Sequence, residues 1–306
     1  MTFDLVIPTL NRPVDLHRCL EAVCQETLLP GNIYVIDQSD GAESQKVCRA
    51  FTEPLKDRGC ALRWIHQDEK SLVKARNRGI DEAKAEILCF IDDDVAPAAD
   101  CFKVLIKAFE DPGVGGANGN LTNGIENHSF KWAVRKCLLR FFLLNHFDGR
   151  MTFSGFGYPV YEREVQKSLA VDFLQGSLMA YLRSLLAKER FDEWFSGYSF
   201  REDAELSYRI SKLSKNMIIP GAKYSHYPST VGRSDIEKLR RMQFKNYYYV
   251  FKKHKKKGPF SEFFFYYSLS GLILLDIIEF FAHCFKQDKR AVVGADLKAF
   301  QSLRAG

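Results

Sequence analysis

No C-x-x-C pair occurs among the eight cysteines, which are scattered singly from Cys19 to Cys284. That absence speaks against a zinc site and for a reducing compartment. The N-terminal MTFDLVIPTLNRP has no basic stretch followed by an apolar run, so no signal peptide is expected. The N-x-[ST] triplets at Asn120 and Asn127 then read as chance matches. Collagen-like repetition and the high net charge of a disordered chain are missing too. Between residues 238 and 257 there is not one Asp or Glu.

That last gap locates the charge. The segment 238–257 carries nine Lys and Arg, so the formal +6 of the chain leaves everything else at −3. The basicity belongs to one segment and points to an anionic partner for it alone. With 306 residues, 46% of them hydrophobic, the chain can bury a sizeable core as one large domain with additions or as two domains.

The first third alternates regularly. Apolar runs Leu5-Val6-Ile7, Ile33 to Ile36, Leu62 to Ile65 and Ile87 to Ile91 are each followed by helical spacing: Val14 to Cys24, Ser44 to Phe51, Leu72 to Ala85 and Ala98 to Phe109. Strand ends near Thr9, Asp37, Gln67 and Asp92 lie 28, 30 and 25 residues apart, the length of a βαβ unit. Successive right-handed units give a parallel sheet covered by helices, whose ligands bind beyond the carboxyl ends of the strands. Polar residues stand there: Thr9-Leu10-Asn11-Arg12, Asp37-Gln38-Ser39-Asp40 and Asp92-Asp93-Asp94. A helix cap explains one Asp in such a loop, but three adjacent carboxylates repel and ask for another role.

Beyond residue 112 the regularity stops. Gly113 to Gly119 reads as a strand with tight turns, since Asn118 stands where a dinucleotide loop needs glycine. Residues 137–147 are very apolar, and 151–161 resemble an aromatic-lined irregular loop. A helix is expected over 203–213 and a short strand at Met217-Ile218-Ile219-Pro220. Residues 235–257 read as a basic helix. From Phe263 to Phe285 the chain is long enough to cross a bilayer, but Asp276, Glu279 and His283 interrupt it. A central Asp costs ~3 kcal/mol on insertion scales, so a surface-lying or core-packed helix is expected rather than a span.

The segments Val6-Ile7-Pro8-Thr9-Leu10-Asn11-Arg12, Val35 to Asp40, Ala75-Arg76-Asn77-Arg78-Gly79-Ile80, Phe90 to Asp94 and Arg201-Glu202-Asp203-Ala204-Glu205-Leu206 resemble, in order, the successive motifs of family 2 glycosyltransferases. The resemblance implies an α/β chain of GT-A fold, with a Rossmann-like, mainly parallel sheet flanked by helices and a C-terminal helical extension. It also implies inverting transfer of a sugar from a nucleotide-diphosphate sugar to a hydroxyl of a glycan or lipid-linked acceptor. The expected division is a catalytic domain over 1–230, with a nucleotide-binding half 1–112 and an acceptor half 113–230, then the extension over 231–306.

The chemistry agrees with the resemblance. A leaving diphosphate needs its charge neutralised, and a hard divalent ion, Mn²⁺ or Mg²⁺, takes oxygen ligands such as Asp92 to Asp94 offer. By resemblance, Asp94 contacts the metal, Asp92 and Asp93 share the ribose hydroxyls and metal waters, and His226 lies near metal and diphosphate. Thr9, Asn11 and Arg12 form the first nucleotide-binding loop, and Asp37 meets the nucleobase, where a carboxylate accepts an imide N–H. Arg76 serves the nucleotide, organises the carboxylates, or is a helix-surface residue paired with Glu82. Asp203 is the expected general base, with Glu202 supporting it or contacting the acceptor, although acids also suit a helix N-terminus. The segment Val171 to Ala180 resembles the acceptor-side wall, where Gly176 allows close backbone approach.

Two other classes were weighed against this. A sugar nucleotidyltransferase would want a glycine-rich basic loop where Pro8-Thr9-Leu10-Asn11-Arg12 stands. A non-catalytic nucleic-acid- or membrane-binding protein would not need Asp92, Asp94 and Asp203. The expected setting is cytoplasmic and peripheral on the inner face of the cell membrane, with 238–285 on anionic lipid and no nucleic acid bound.

Overall fold

The computed structural model describes residues 1–124, 129–160, 164–197, 199–229, 235–255, 258–282 and 287–305. The chain divides into two compact units, Met1–Glu126 with Val160–Val231, and Asn127–Pro159 with Gly232–Gly306. Residues 127–159, expected within the acceptor half, therefore group with the C-terminal extension.

The first unit is built on one sheet of β1 (Phe3–Thr9), β2 (Asn32–Asp37), β3 (Ala61–His66), β4 (Ile87–Ile91), β5 (Val95–Pro97), β6 (Val114–Leu121), β7 (Leu169–Val171), β8 (Leu178–Leu182) and β9 (Lys215–His226). Their order is β3-β2-β1-β4-β8-β6-β9-β5, with β7 on β9. The first four strands are parallel. Beyond β4 the pairing turns mostly antiparallel, where the βαβ spacing of the sequence also ends. Helices α1 (Pro13–Cys24), α2 (Glu43–Lys56), α3 (Leu72–Glu82) and α4 (Cys101–Lys107) follow the first strands. All residues of β1 and β4 are buried, as strands covered on both faces require. The exception in polarity, Asp4, is satisfied: its carboxylate accepts from the backbone of Asn32, Lys84 and Ala85 and from Asn32 Nδ2 at 2.9–3.1 Å. On α1 the residues at helical spacing, Leu16, Cys19, Leu20 and Val23, are the ones that face the core.

Several elements differ from expectation: α2 runs past Phe51 to Lys56, α3 stops at Glu82 short of Ala85, and the helix expected over 203–213 stops at Ile210. The helix expected to end at Phe109 stops at Lys107 and tightens into a 3₁₀ turn over Ala108–Glu110. β9 runs on to His226 instead of stopping at Pro220. Pro220 and Gly221 fall in a register shift against β6 between Ile218 and Lys223, where a missing N–H breaks no ladder bond.

The second unit contains α5 (Phe130–Phe141), and, after α6 (Arg183–Leu186) and α7 (Glu202–Ile210) of the first unit, α8 (Ile236–His254), α9 (Pro259–Ala282) and α10 (Gln287–Ala305). Its core is aromatic: Phe156 stacks on Tyr247 at 4.5 Å and Phe251 on Phe265 at 4.6 Å. Part of the basic segment is spent inside this unit. Arg240 joins α8 to Asp276 of α9 and Asp296 of α10, Arg241 pairs with Glu237 at 3.6 Å, and Lys252 pairs with Glu262. The cations of 238–257 are thus not all available to an external anion.

Candidate active site

Strand register assembles the site. β1 pairs with β2 so that Thr9 stands opposite Asp37, and with β4 so that Val6 stands opposite Phe90, which brings the residues after β4 level with Thr9. β5 and β9 pair with Val95 opposite His226, which sets His226 beside Asp94. β4 and β8 pair with Ile91 opposite Leu178, which sets Gly176 and Ser177 beside Asp92. The polar residues therefore converge beyond the carboxyl ends of the parallel strands.

The three consecutive aspartates have separate partners. Asp93 accepts from Thr9 Oγ1 at 2.7 Å and from Arg12 Nη1 at 3.3 Å. Burial pushes its carboxyl up to about 7, against the pull of Thr9 and Arg12. Asp94 accepts from the Ser229 N–H at 3.1 Å, with Arg12 Nη1 at 3.7 Å and His226 Nε2 at 3.0 Å. Burial acts to raise the Asp94 carboxyl, but His226, the Ser229 N–H and Arg12 together hold it below the usual range. Asp92 keeps 29% of its side chain exposed and turns one oxygen toward Arg76.

Arg76 is the centre of the arrangement. Its side chain is almost completely buried, and it donates from Nη1 to Glu202 Oε1 at 2.7 Å, and from Nη2 to Asp92 Oδ1 at 2.9 Å and the Gly176 carbonyl at 3.3 Å. Burial disfavours the guanidinium charge, and Asp92 and Glu202 more than offset that. The surface pair with Glu82 is made by Arg78 instead, at 2.7 Å. Phe191 lies 5.4 Å from the guanidinium, and its backbone is held by Asn77, which bonds both the Phe191 N–H and carbonyl at 3.0–3.1 Å.

Glu202 and Asp203 open α7 but differ in environment. Glu202 is buried, and burial with the adjacent Asp203 pushes its carboxyl up to about 8 despite Arg76. Asp203 is half-buried and accepts the N–H groups of Gly176 at 2.8 Å and Ala204 at 2.7 Å. A Cβ at position 176 would come within 3.0 Å of Asp203 Oδ2 and 3.2 Å of Arg76 Nη2, so a side chain there would displace both by a few tenths of an ångström.

The remaining predicted residues are placed around this core. Asn11 takes a left-handed conformation, φ 55°, and its N–H donates to Ser39 Oγ at 2.7 Å, tying the first loop to the second. Asp37 is fully buried and accepts from the Ser39 N–H and Trp64 Nε1, each at 2.9 Å. Among the described residues, no three His, Cys, Asp or Glu side chains form a finished metal cluster. Asp94 Oδ1 is nonetheless buried without an aligned hydrogen-bond donor, next to the His226 imidazole. A carboxylate oxygen and an imidazole nitrogen so placed fit a hard divalent ion.

Trp64, Ser39, Asn77 and Phe191 escaped the sequence reading. Asn77 and Ser39 lay inside motifs already singled out, so their position was a signal. Trp64 and Phe191 carried none, because their roles depend on neighbours across the sheet.

Comparison with known proteins follows the same outline. The family model described as Glycosyl transferase family 2 matches residues 4–188. Glycosyltransferase GlyA of Streptococcus pneumoniae is 24% identical over 220 residues, 70% of this chain and 28% of its own length. Glycosyltransferase AglE of Haloferax volcanii is 25% identical over 121 residues, 39% of this chain and 38% of its own length. The matched stretches thus span less than two fifths of these relatives. Among solved structures, the mannosyltransferase PcManGT from Pyrobaculum calidifontis, in complex with GDP-Man and Mn²⁺, superposes with a TM-score of 0.59 at 14% identity, covering 97% of this chain and 84% of that one. Staphylococcus aureus TarS 1–349 in complex with UDP-GlcNAc gives 0.58 at 13% identity, covering 98% and 81%. Likeness at that identity establishes the GT-A fold.

Proposed function

Because the chain belongs to glycosyl transferase family 2, we propose that it transfers a sugar with inversion from a nucleotide-diphosphate sugar to a hydroxyl of a glycan or lipid-linked acceptor. The observation that carries this reading is Arg76, which joins Asp92, beyond the strand that ends the nucleotide half, to Glu202, next to Asp203. One buried cation thereby fixes the spacing between the donor side and the acceptor side.

Inversion is a single displacement at the anomeric carbon. The acceptor oxygen forms the new bond as the bond to the diphosphate oxygen breaks, and the hydroxyl proton passes to a carboxylate on the side away from the leaving group. Asp203 is that carboxylate: it is half-buried, while two backbone N–H groups aim it and keep its charge near the acceptor. Glu202, held by Arg76, positions Asp203 rather than taking the proton. Thr9, Asn11 and Arg12 hold the nucleotide from the first loop, Asp37 takes the imide N–H of the base, and Asp93 with Asp92 meets the ribose. Asp94 and His226, with the free oxygen of Asp92, are the groups that would hold Mn²⁺ or Mg²⁺, which when bound neutralises the charge of the leaving diphosphate. In the related mannosyltransferase and TarS complexes, GDP-Man with Mn²⁺ and UDP-GlcNAc support a donor of this class.

The test is product stereochemistry. Incubated with sugar nucleotides and a soluble acceptor glycan, the protein is expected to release nucleoside diphosphate and give a glycoside of anomeric configuration opposite to the donor, read from proton couplings. A product that retains the donor configuration removes Asp203 from the role of base.

A further inference from the structure

Both α5 and α9 present an apolar stripe to solvent. On α5, Phe130 and Phe141 are 82% and 66% exposed, with Val134 and Cys137 exposed between them. These positions recur at steps of three and four, one face of a helix. On α9, Phe260, Phe263, Leu274, Ile278 and Phe281 are all exposed on one face toward the two ends of the helix, and between them Tyr267 and Gly271 of that face lie against Phe141 and Phe142. The stripes meet within the second unit: the rings of Phe141 and Tyr267 lie 6.1 Å apart, and Tyr267 OH donates to the Phe141 carbonyl. Arg135 pairs with Glu279 further along, so the two helices run antiparallel side by side.

The charge beside the stripe indicates its occupant. The helix α5 carries Lys131, Arg135, Lys136 and Arg140 and no acid. At about 100° per residue, Lys131 and Arg140 fall on opposite flanks of the Phe130–Phe141 stripe. Both are exposed. An apolar strip bordered on both sides by cations matches a bilayer surface, with acyl chains under the strip and anionic headgroups at its edges.

The other face of α9 decides between crossing and lying. Phe260–Ala282 is long and apolar enough to span a membrane. Yet Phe265, Leu269 and Leu275 are buried, and Asp276 is held by Arg240 of α8. One face belongs to the core of the unit, and the opposite face is free to meet lipid on either side of the Tyr267 contact with Phe141.

We propose that the outward faces of α5 and α9 form one surface that lies on an anionic bilayer, with Phe130, Phe141, Phe260 and Phe263 entering it and Lys131 and Arg140 meeting lipid phosphates. This narrows the membrane contact expected over 238–285 to the outward face of α9 and adds residues 130–141, of which the sequence reading singled out only 137–141 as apolar. The inference stands apart from the sugar-transfer reading, since none of these residues belongs to the carboxylate site.

The full chain is floated with phosphatidylcholine vesicles made with and without phosphatidylglycerol. It is expected to float with the anionic vesicles and to be released by salt. Joint F130D and F141D substitution lowers the partition coefficient by roughly 100-fold or more. Joint K131E and R140E substitution lowers anionic-vesicle binding by roughly 10-fold or more and leaves neutral-vesicle binding unchanged. Both variants keep the near-ultraviolet circular dichroism and the nucleoside-diphosphate release of the wild type, because the altered side chains are exposed. Vesicle binding that survives both variants, or equal binding to neutral and anionic vesicles, overturns the proposal. So does a wild type that stays off vesicles, including one that forms a dimer which F130D and F141D dissolve.

Discussion

Asp203→Asn lowers the turnover of sugar transfer by roughly 1,000-fold, within the range that a positioned general base contributes, while affinity for the donor nucleotide changes little. The amide side chain keeps an oxygen for the Gly176 N–H, which Asp203 Oδ2 now accepts at 2.8 Å. The Ala204 N–H, which Asp203 Oδ1 accepts at 2.7 Å, loses its acceptor, a local cost that stands beside the lost capacity to take a proton. Glu202→Gln separates the neighbouring roles. Glu202 is buried and its carboxylate accepts from Arg76 Nη1 at 2.7 Å, so it supports the geometry without being the base, and its amide variant loses far less turnover. Steady-state kinetics of the two variants beside nucleotide titrations make the comparison. Near-normal turnover in Asp203→Asn, or a deeper loss in Glu202→Gln, would reverse the assignment.

Arg76→Met is the second large effect, and it falls on stability as well as activity. Removing the guanidinium leaves Glu202 buried with no cation and Asp92 without its bond, a change that costs about 3–5 kcal/mol for a buried pair broken from one side. The pH dependence identifies the cause. With Arg76 gone, both carboxyls hold their protons to higher pH in the folded protein, while the unfolded values stay the same. The variant therefore loses stability relative to wild type as pH rises through the wild-type value, which for Glu202 is about 8. Denaturation curves should show a smaller deficit at about pH 6 than at about pH 9. A deficit independent of pH would mean that lost packing against Phe191, 5.4 Å from the guanidinium, dominates instead.

What was legible in the chain follows from the range of the interactions. The parallel half of the sheet could be read because β1, β2 and β4 are buried, largely apolar runs and β3 follows at the same spacing, with Thr9, Asp37 and the aspartates at the strand ends. The Arg76 network was half legible: the motif singled out the residue, but the choice between Glu82 and Glu202 depends on a contact 126 residues away. The Asp94–His226 contact depends on β5 pairing with β9, and neither strand declares its partner in local pattern. Trp64 bonding Asp37 is set by β3 packing beside β2. The segment 130–141 was not read as an element, for a different reason. Its periodicity is that of an amphipathic helix, but its apolar face points outward, and periodicity alone does not say which medium a face meets.

The central claim is a nucleotide-diphosphate site built on the aspartates after β4. Calorimetric titration of UDP, dTDP, GDP and CDP into the protein, with and without Mn²⁺, and into Asp94→Ala, addresses it most directly. The account predicts that one base is preferred, that its binding depends on the ion, and that Asp94→Ala removes the ion dependence along with most of the affinity. Binding of no diphosphate, or binding indifferent to both the ion and Asp94, would contradict it.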